Sequence, residues 1–281
     1  MTAPRRVAVV TDSTAYLPPG TAHKHGIEVV PLHVQLGDRS LLDGVDLTPA
    51  EFAAWIAAPG RVAATSQPSP AAFHEAWARA DAESVVSVHL SSGLSGTASA
   101  ATVGAEGFDG DVRVVDSMST AMGLGFPVLA AVEAAEAGGS VDDVAAAAKA
   151  AVDRTRTFFY VDTLDHLRRG GRIGAAAALV GTALSVKPLL HIRDGRIEVL
   201  EKVRTSSRAI ARLEEVVIAE AAGGPVDVAV QHLAAGDRAR ALAERLRAAV
   251  PNLASLHESE VGAVVGAHTG PGMLAVVVHR R

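Results

Sequence analysis

The residues best placed to do chemistry lie in one stretch, His89-Leu90-Ser91-Ser92-Gly93-Leu94-Ser95-Gly96-Thr97, which follows the apolar run Val85, Val86, Val88 and precedes a small-residue helical run from Ala98 to Ala105. A β-branched run that breaks into Ser and Gly and then turns helical places hydroxyls and backbone N–H groups at a helix N-terminus, where the partial positive charge favours an anion. That suits a carboxylate or a phosphate; the same residues would equally serve to cap a helix and turn the chain. A second polar loop, Ala64-Thr65-Ser66-Gln67-Pro68-Ser69-Pro70, carries three more hydroxyls. A capped helix entry at Ser69-Pro70 accounts for Ser69 but has no use for Thr65.

Two rival chemistries can be read from the same residues. Gly93-Leu94-Ser95-Gly96 sits between strand and helix as a nucleophile elbow would, and Asp162 or Asp227 with His268 would complete the order Ser, Asp, His. The match is imperfect, because Gly96 directly follows Ser95 where the motif has one residue between. Gly270-Pro271-Gly272-Met273-Leu274-Ala275 fits the letters of a dinucleotide fingerprint, but the six residues after it are too few for the helix and second strand that motif requires. No Gly-x4-Gly-Lys-Ser/Thr occurs, so no intrinsic kinase activity is expected. Of the histidines, His23 and His25 flank Lys24 on a solvated helix, His89 reads as a buried residue that orders its loop, and His268 alone reads as a loop histidine. No metal site is expected.

Composition narrows the classes further. The 281 residues are 49% hydrophobic, 20% charged and only 4% aromatic, so the core must be built from Ala, Val, Leu and Ile. A net charge of -5 with scattered arginines argues against nucleic acid. The absence of cysteine removes disulfides, thiol nucleophiles and Cys-ligated metals. Met1 to Arg6 is polar and runs into a strand, so no signal peptide is read. The apolar stretches Gly123 to Val132 and Ala175 to Leu184 are shorter than the about 20 residues a membrane span needs. A cytoplasmic protein without stable membrane insertion is expected.

The elements that must position these residues alternate strand and helix in the first half. Val7 to Val10 is an unbroken strand run ending in Thr11-Asp12-Ser13-Thr14, and Ile27 to Leu32 is the next. Leu32 to Leu36 and Ser40 to Leu42 form an excursion. Thr48-Pro49-Ala50-Glu51 has the letters of a capping box for a helix ending near Pro59-Gly60. Helices are also expected from Ser69-Pro70 and Ser140, and strands at Val85–Val88 and Val112–Val115. From Thr155 the pattern changes: an aromatic strand to Val161, a hairpin turning at Asp194-Gly195, helices over Ser206–Ala222 and Asp237–Val250, and strands at Val226–Gln231, Leu253–Leu256 and Leu274–Val278. The fold class is therefore α/β in two domains, a Rossmann-like parallel α/β domain over 1–155 and a mixed-sheet α+β domain over 156–281.

Taken in series, Val10-Thr11-Asp12-Ser13-Thr14, Asp43-Gly44-Val45-Asp46, Thr65-Ser66-Gln67-Pro68-Ser69, Ser91 to Thr97, Arg169-Gly170-Gly171-Arg172-Ile173 and Gly266-Ala267-His268-Thr269-Gly270-Pro271-Gly272 resemble the DegV family of bacterial fatty-acid-binding proteins over nearly the whole chain. The resemblance implies a carrier without catalytic residues or cofactors. It would hold one long-chain fatty acid with the tail buried and the carboxylate between the domains, and present it to a separate fatty acid kinase that makes acyl phosphate for phospholipid synthesis. Carried over by position, Thr65 and Ser92 resemble carboxylate ligands, His268 a member of the head-group network, and Arg204 an arginine near the head group. Ser91, Ser92 and the Gly93 N–H remain alternatives for the closest contact. Arg172, with Arg168 and Arg169, is either a solvated loop charge or a residue that covers the ligand or meets the kinase. A serine hydrolase acting on an acyl ester is the alternative. The inventory suits an acceptor-only carboxylate, since every group named is a donor.

Overall fold

A computed structural model describes residues 5–179 and 187–281; residues 1–4 of the N-terminal segment and the end of the Ala175 to Leu184 run lie outside the described residues. The strands are β1 (Arg5–Asp12), β2 (Glu28–Val30), β3 (His33–Leu36), β4 (Arg39–Leu42), β5 (Ala63–Ser66), β6 (Ala82–His89), β7 (Asp111–Asp116), β8 (Thr155–Tyr160), β9 (Lys187–Arg193), β10 (Arg196–Val203), β11 (Val226–His232), β12 (Leu253–Glu260) and β13 (Leu274–Arg280). The helices are α1 (Thr21–His25), α2 (Pro49–Ile56), α3 (Pro70–Ala80), α4 (Thr97–Glu106), α5 (Met122–Glu136), α6 (Val141–Asp153), α7 (Asp165–Arg169), α8 (Ser206–Glu220), α9 (Gly236–Ala249) and α10 (Ala263–Thr269). None of the described helices is long and apolar enough to cross a membrane.

Local chemistry starts several of these elements where the sequence indicates. The Thr48 hydroxyl accepts the Glu51 N–H at 3.2 Å while the Glu51 carboxylate accepts the Thr48 N–H at 2.8 Å, closing the capping box of α2. That helix ends at Ile56, ahead of Pro59-Gly60. Ser69 caps α3, with Pro70 in its first turn, and Phe73, Ala76 and Trp77 form the buried face. Ser140 accepts the Asp143 N–H at the start of α6. Asp194-Gly195 turns β9 into β10, paired antiparallel from Arg193 and Arg196 onward.

The residues cluster into two compact units, 1–33 with 66–153 and 34–65 with 154–281. In the first, four parallel strands run in the order β2-β1-β6-β7. Val7 to Val10 of β1 are buried because the strand is central, and Val10 and Val85 pack with Phe73, Ala76 and Trp77. The order reverses direction between β1 and β6, so their carboxyl ends form the switch point at which open α/β sheets gather ligands. In the second unit, six strands run β10-β9-β8-β13-β11-β12, with β13 antiparallel to both neighbours and β12 parallel to β11. The alternation along β11 and β13 puts Val226, Val228, Val230, Val276 and Val278 in one core with Leu213 and Val217 of α8 and Leu242 and Leu246 of α9.

A single cut at 155/156 does not describe this division, because residues 34–65 cluster with the second unit. The reason is packing and hydrogen bonding. The ring of Phe52 on α2 lies against Gly266 of α10, and the buried Asp43 carboxylate accepts the Ala263 N–H at 2.8 Å. The excursion that follows β2 thus belongs to the body made mostly by the later half of the chain.

Candidate functional site

The second unit brings together two residues 203 positions apart. The Thr65 hydroxyl and His268 Nε2 lie 2.9 Å apart. Thr65 is the last residue of β5 that clusters with this unit, and His268 stands on the last turn of α10. The sequence reading of His268 as a loop residue is corrected here. The run Ala263-Val264-Val265-Gly266-Ala267-His268-Thr269 is helical although glycine disfavours it, because Asp43 supplies an acceptor and a negative charge at its first turn. Gly266 lets Phe52 and Leu233 approach closely.

The other face of His268 is closed by α7 and the loop after it. A β-carbon at Gly170 would collide with His268 Nδ1, and one at Gly270 would collide with the ring of His166. Each histidine therefore rests on a glycine of the opposite segment. Arg172 donates from its guanidinium to the Gly170 carbonyl at 2.7 Å. Burial, reinforced by the positive charge of Arg172 and by His166, lowers the His268 pKa from 6.5 to about 4, so the ring is neutral at pH 7. Its Nδ1 is buried with no hydrogen-bond partner among the described residues. Arg172 thus reaches back onto the histidine's support, whereas Arg168 pairs with Asp165 at 3.4 Å on the surface. Arg204 follows β10 and is exposed, with no ion pair among the described residues. No local signal marks Asp43, His166 or Gly170: nothing near Asp43 in the chain identifies it as the partner of a helix start 220 residues away.

The serine stretch belongs to the first unit, at the switch point. Asp12, fully buried at the end of β1, accepts from Thr14 N–H at 3.0 Å, the Thr14 hydroxyl at 2.6 Å, Leu90 N–H at 2.9 Å and His89 Nδ1 at 3.1 Å. A carboxylate only accepts, so the His89 proton is on Nδ1. His89 Nε2 then accepts from the Ser87 hydroxyl at 2.7 Å, and Ser87 in turn accepts from Trp77 Nε1 at 3.1 Å. This Asp, His, Ser relay has the connectivity of a hydrolytic triad, but all three side chains are fully buried. It holds the ends of β1 and β6 together.

Above it, the turn after β6 uses its own amides. Gly93 N–H donates to the Ser91 hydroxyl at 3.1 Å, Ser92 N–H to Asp116 at 3.1 Å, and Leu94 and Ser95 N–H both to the Ser91 carbonyl at 3.0 Å. The amides of residues 92–95 are therefore occupied within the protein. Ser91 is buried, Gly93's amide is occupied, and the exposed Ser92 hydroxyl makes no hydrogen bond among the described residues. Helix α4 starts later, after Gly96, with no side-chain cap bond.

The residues of the alternative Ser, Asp, His order have other partners among the described residues. Ser95 bonds the Thr97 hydroxyl at 2.9 Å; Asp162 accepts from the Tyr160 phenol at 2.5 Å; Asp227 accepts from Ser255 at 2.6 Å and from Arg281. His268 Nδ1, where an orienting aspartate would bind, has no hydrogen-bond partner among the described residues.

The comparisons with known proteins agree with this architecture. Residues 6–281 match the model of a family described as an uncharacterised protein of the DegV family. The chain is 58% identical over 280 residues to a DegV domain-containing protein of Streptomyces coelicolor, covering 99% of each. A structure described as fatty acid binding of a DegV family protein from Thermus thermophilus superposes with a TM-score of 0.92 at 34% identity, covering 98% of this chain and 100% of that one. The fatty acid binding protein DegV from Bacillus subtilis gives 0.91 at 34% identity, covering 99% and 100%.

Proposed function

The chain belongs to the DegV family, and from that membership we propose that it binds a long-chain fatty acid, burying the tail and offering the carboxylate to hydroxyl donors, of which Thr65 is the first. The observation that carries this reading is the Thr65–His268 pair. A neutral histidine that hydrogen-bonds a threonine hydroxyl supplies a polar, uncharged donor for an anionic head group. Ser92, exposed and with its hydroxyl unbonded among the described residues, is the second donor; its neighbour Gly93 shapes the turn, and Arg204 adds a positive charge near the head-group end. The low aromatic content suits an aliphatic wall for the tail, whose burial contributes about 0.8 kcal/mol per methylene. The relatives from Thermus thermophilus and Bacillus subtilis, described as fatty acid binding, support the same ligand class.

The protein acts, in this proposal, as a carrier in the cytoplasm. It presents the carboxylate to a separate fatty acid kinase, which forms acyl phosphate for phospholipid synthesis, and Arg172 couples the ligand loop to that partner. Native mass spectrometry of the purified chain, with organic extraction of what it releases, tests the binding step: a single co-purifying fatty acid is expected, and a chain that is empty and takes up no added fatty acid overturns the reading. Adding the chain to a fatty acid kinase with ATP tests the second step. Acyl phosphate should form only when the chain is present, and Arg172→Ala should lower its rate; formation without the chain would remove it from the reaction.

A further inference from the structure

Two adjacent glycines in the loop after α7 answer to different constraints. Gly171 has φ +70° and open space where a side chain would stand, so its backbone is what favours glycine. Gly170 has φ -75° and ψ -7°, a right-handed conformation open to any residue. Only space excludes a side chain there; the atoms that collide with one are Nδ1 and Cε1 of His268, with the His166 carbonyl oxygen next at 3.3 Å. Gly170 is itself held at both polar groups: its N–H donates to the His166 carbonyl at 2.9 Å and its carbonyl accepts from Arg172 at 2.7 Å.

The nitrogen that Gly170 faces is buried and has no hydrogen-bond partner among the described residues. A buried N–H without an acceptor is rarer and less tolerable than a lone pair without a donor, so the ring proton belongs on Nε2. Nε2–H then donates to the Thr65 hydroxyl, leaving the hydroxyl's own hydrogen for a second acceptor. His89 shows the opposite assignment, with its proton on Nδ1 because Asp12 faces that nitrogen. In each case the tautomer is set by what stands opposite Nδ1, a carboxylate in one and a bare Cα in the other.

We propose that Gly170 is a positioning residue: by closing the Nδ1 side of His268 it holds the ring as the Nε2–H tautomer, and so makes Thr65 a donor committed to a second acceptor such as a carboxylate. The ligand half of this statement rests on the fatty-acid reading above; the tautomer half does not. Nitrogen NMR of the ligand-free full chain reads the tautomer directly, and a pyrrole-like Nε2 with a pyridine-like Nδ1 is expected at His268. Gly170→Ala, whose backbone suits alanine, should displace the ring and weaken oleic acid binding by about ten- to 150-fold, the span for loss of one hydrogen bond to a charged group. In a His268→Ala background the same substitution should change affinity by less than about twofold, because the colliding ring is then gone. Gly171→Ala is the control, expected to lower stability through its φ while leaving the His268 nitrogen shifts in place. A protonated Nδ1, or an equal effect of Gly170→Ala in both backgrounds, overturns the proposal. If the chain binds no oleic acid at all, the fatty-acid reading fails while the nitrogen shifts still decide the tautomer.

Discussion

Thr65→Val separates the two roles of the Thr65 hydroxyl. The substitution keeps the β-branched shape that suits a strand and removes only the oxygen. Two consequences follow from the geometry. The ligand carboxylate loses a donor, which should weaken binding by about 1.5–3 kcal/mol, or roughly ten- to 150-fold in Kd. His268 Nε2–H, 2.9 Å from that oxygen in the native protein, also loses its acceptor, so the ligand-free protein should be destabilised by about 1–3 kcal/mol. Ser92→Ala provides the contrast. Its hydroxyl is exposed and bonds nothing among the described residues, so binding should weaken by a similar amount while stability stays within about 0.5 kcal/mol of the wild type. Titration with oleic acid and urea unfolding of the ligand-free protein measure the two quantities. Unchanged affinity in both variants would refute the head-group assignment, and unchanged stability in Thr65→Val would refute the hydrogen bond as drawn.

Three further outcomes are expected. His166, His191, His232, His268 and His279 all have pKa values lowered chiefly by burial, so the unfolded chain binds protons that the native one does not, and stability should fall as pH drops below 6.5. His268, lowered to about 4, should account for up to about 3 kcal/mol of that loss between pH 6.5 and 4, and urea midpoints of His268→Gln should decline less steeply with acid than those of the wild type. Asp12→Asn keeps the size of the side chain but turns one acceptor into a donor among four donors, so urea unfolding should show a loss of at least about 2 kcal/mol; a smaller loss would mean that the relay at the ends of β1 and β6 is not the link it is drawn as. Ser95→Ala should leave oleic acid binding unchanged, and loss of an ester-hydrolysing activity in this variant would restore the hydrolase reading.

Much of the fold was legible because the signals are local. The capping box at Thr48 and Glu51, the Ser69-Pro70 helix entry, the Asp194-Gly195 hairpin and the unbroken β1 run each depend on residues within a few positions of one another, so side-chain type and spacing alone decide them. The change of pattern at Thr155 is likewise local, carried by the aromatic strand that ends at Tyr160 and by the Asp194-Gly195 hairpin; alternation does not mark it, because β11 and β13 are buried on both faces.

What only the tertiary structure decided depends on groups that meet from distant parts of the chain. The sequence places Gly170 and Gly171 side by side as equivalents, yet one is required by its own φ and the other by a histidine about a hundred residues later. Helix α10 forms in a run interrupted by glycine because Asp43 and Phe52 reach it from the excursion after β2. In the serine turn the amides of Ser92 and Gly93 already have acceptors, Asp116 and the Ser91 hydroxyl, which composition cannot record. Residue types and their spacing determined that this protein carries a set of donors on an α/β scaffold; which donor is free, and which proton it offers, was decided by packing, because a hydrogen bond is directional and its availability depends on every other group within reach.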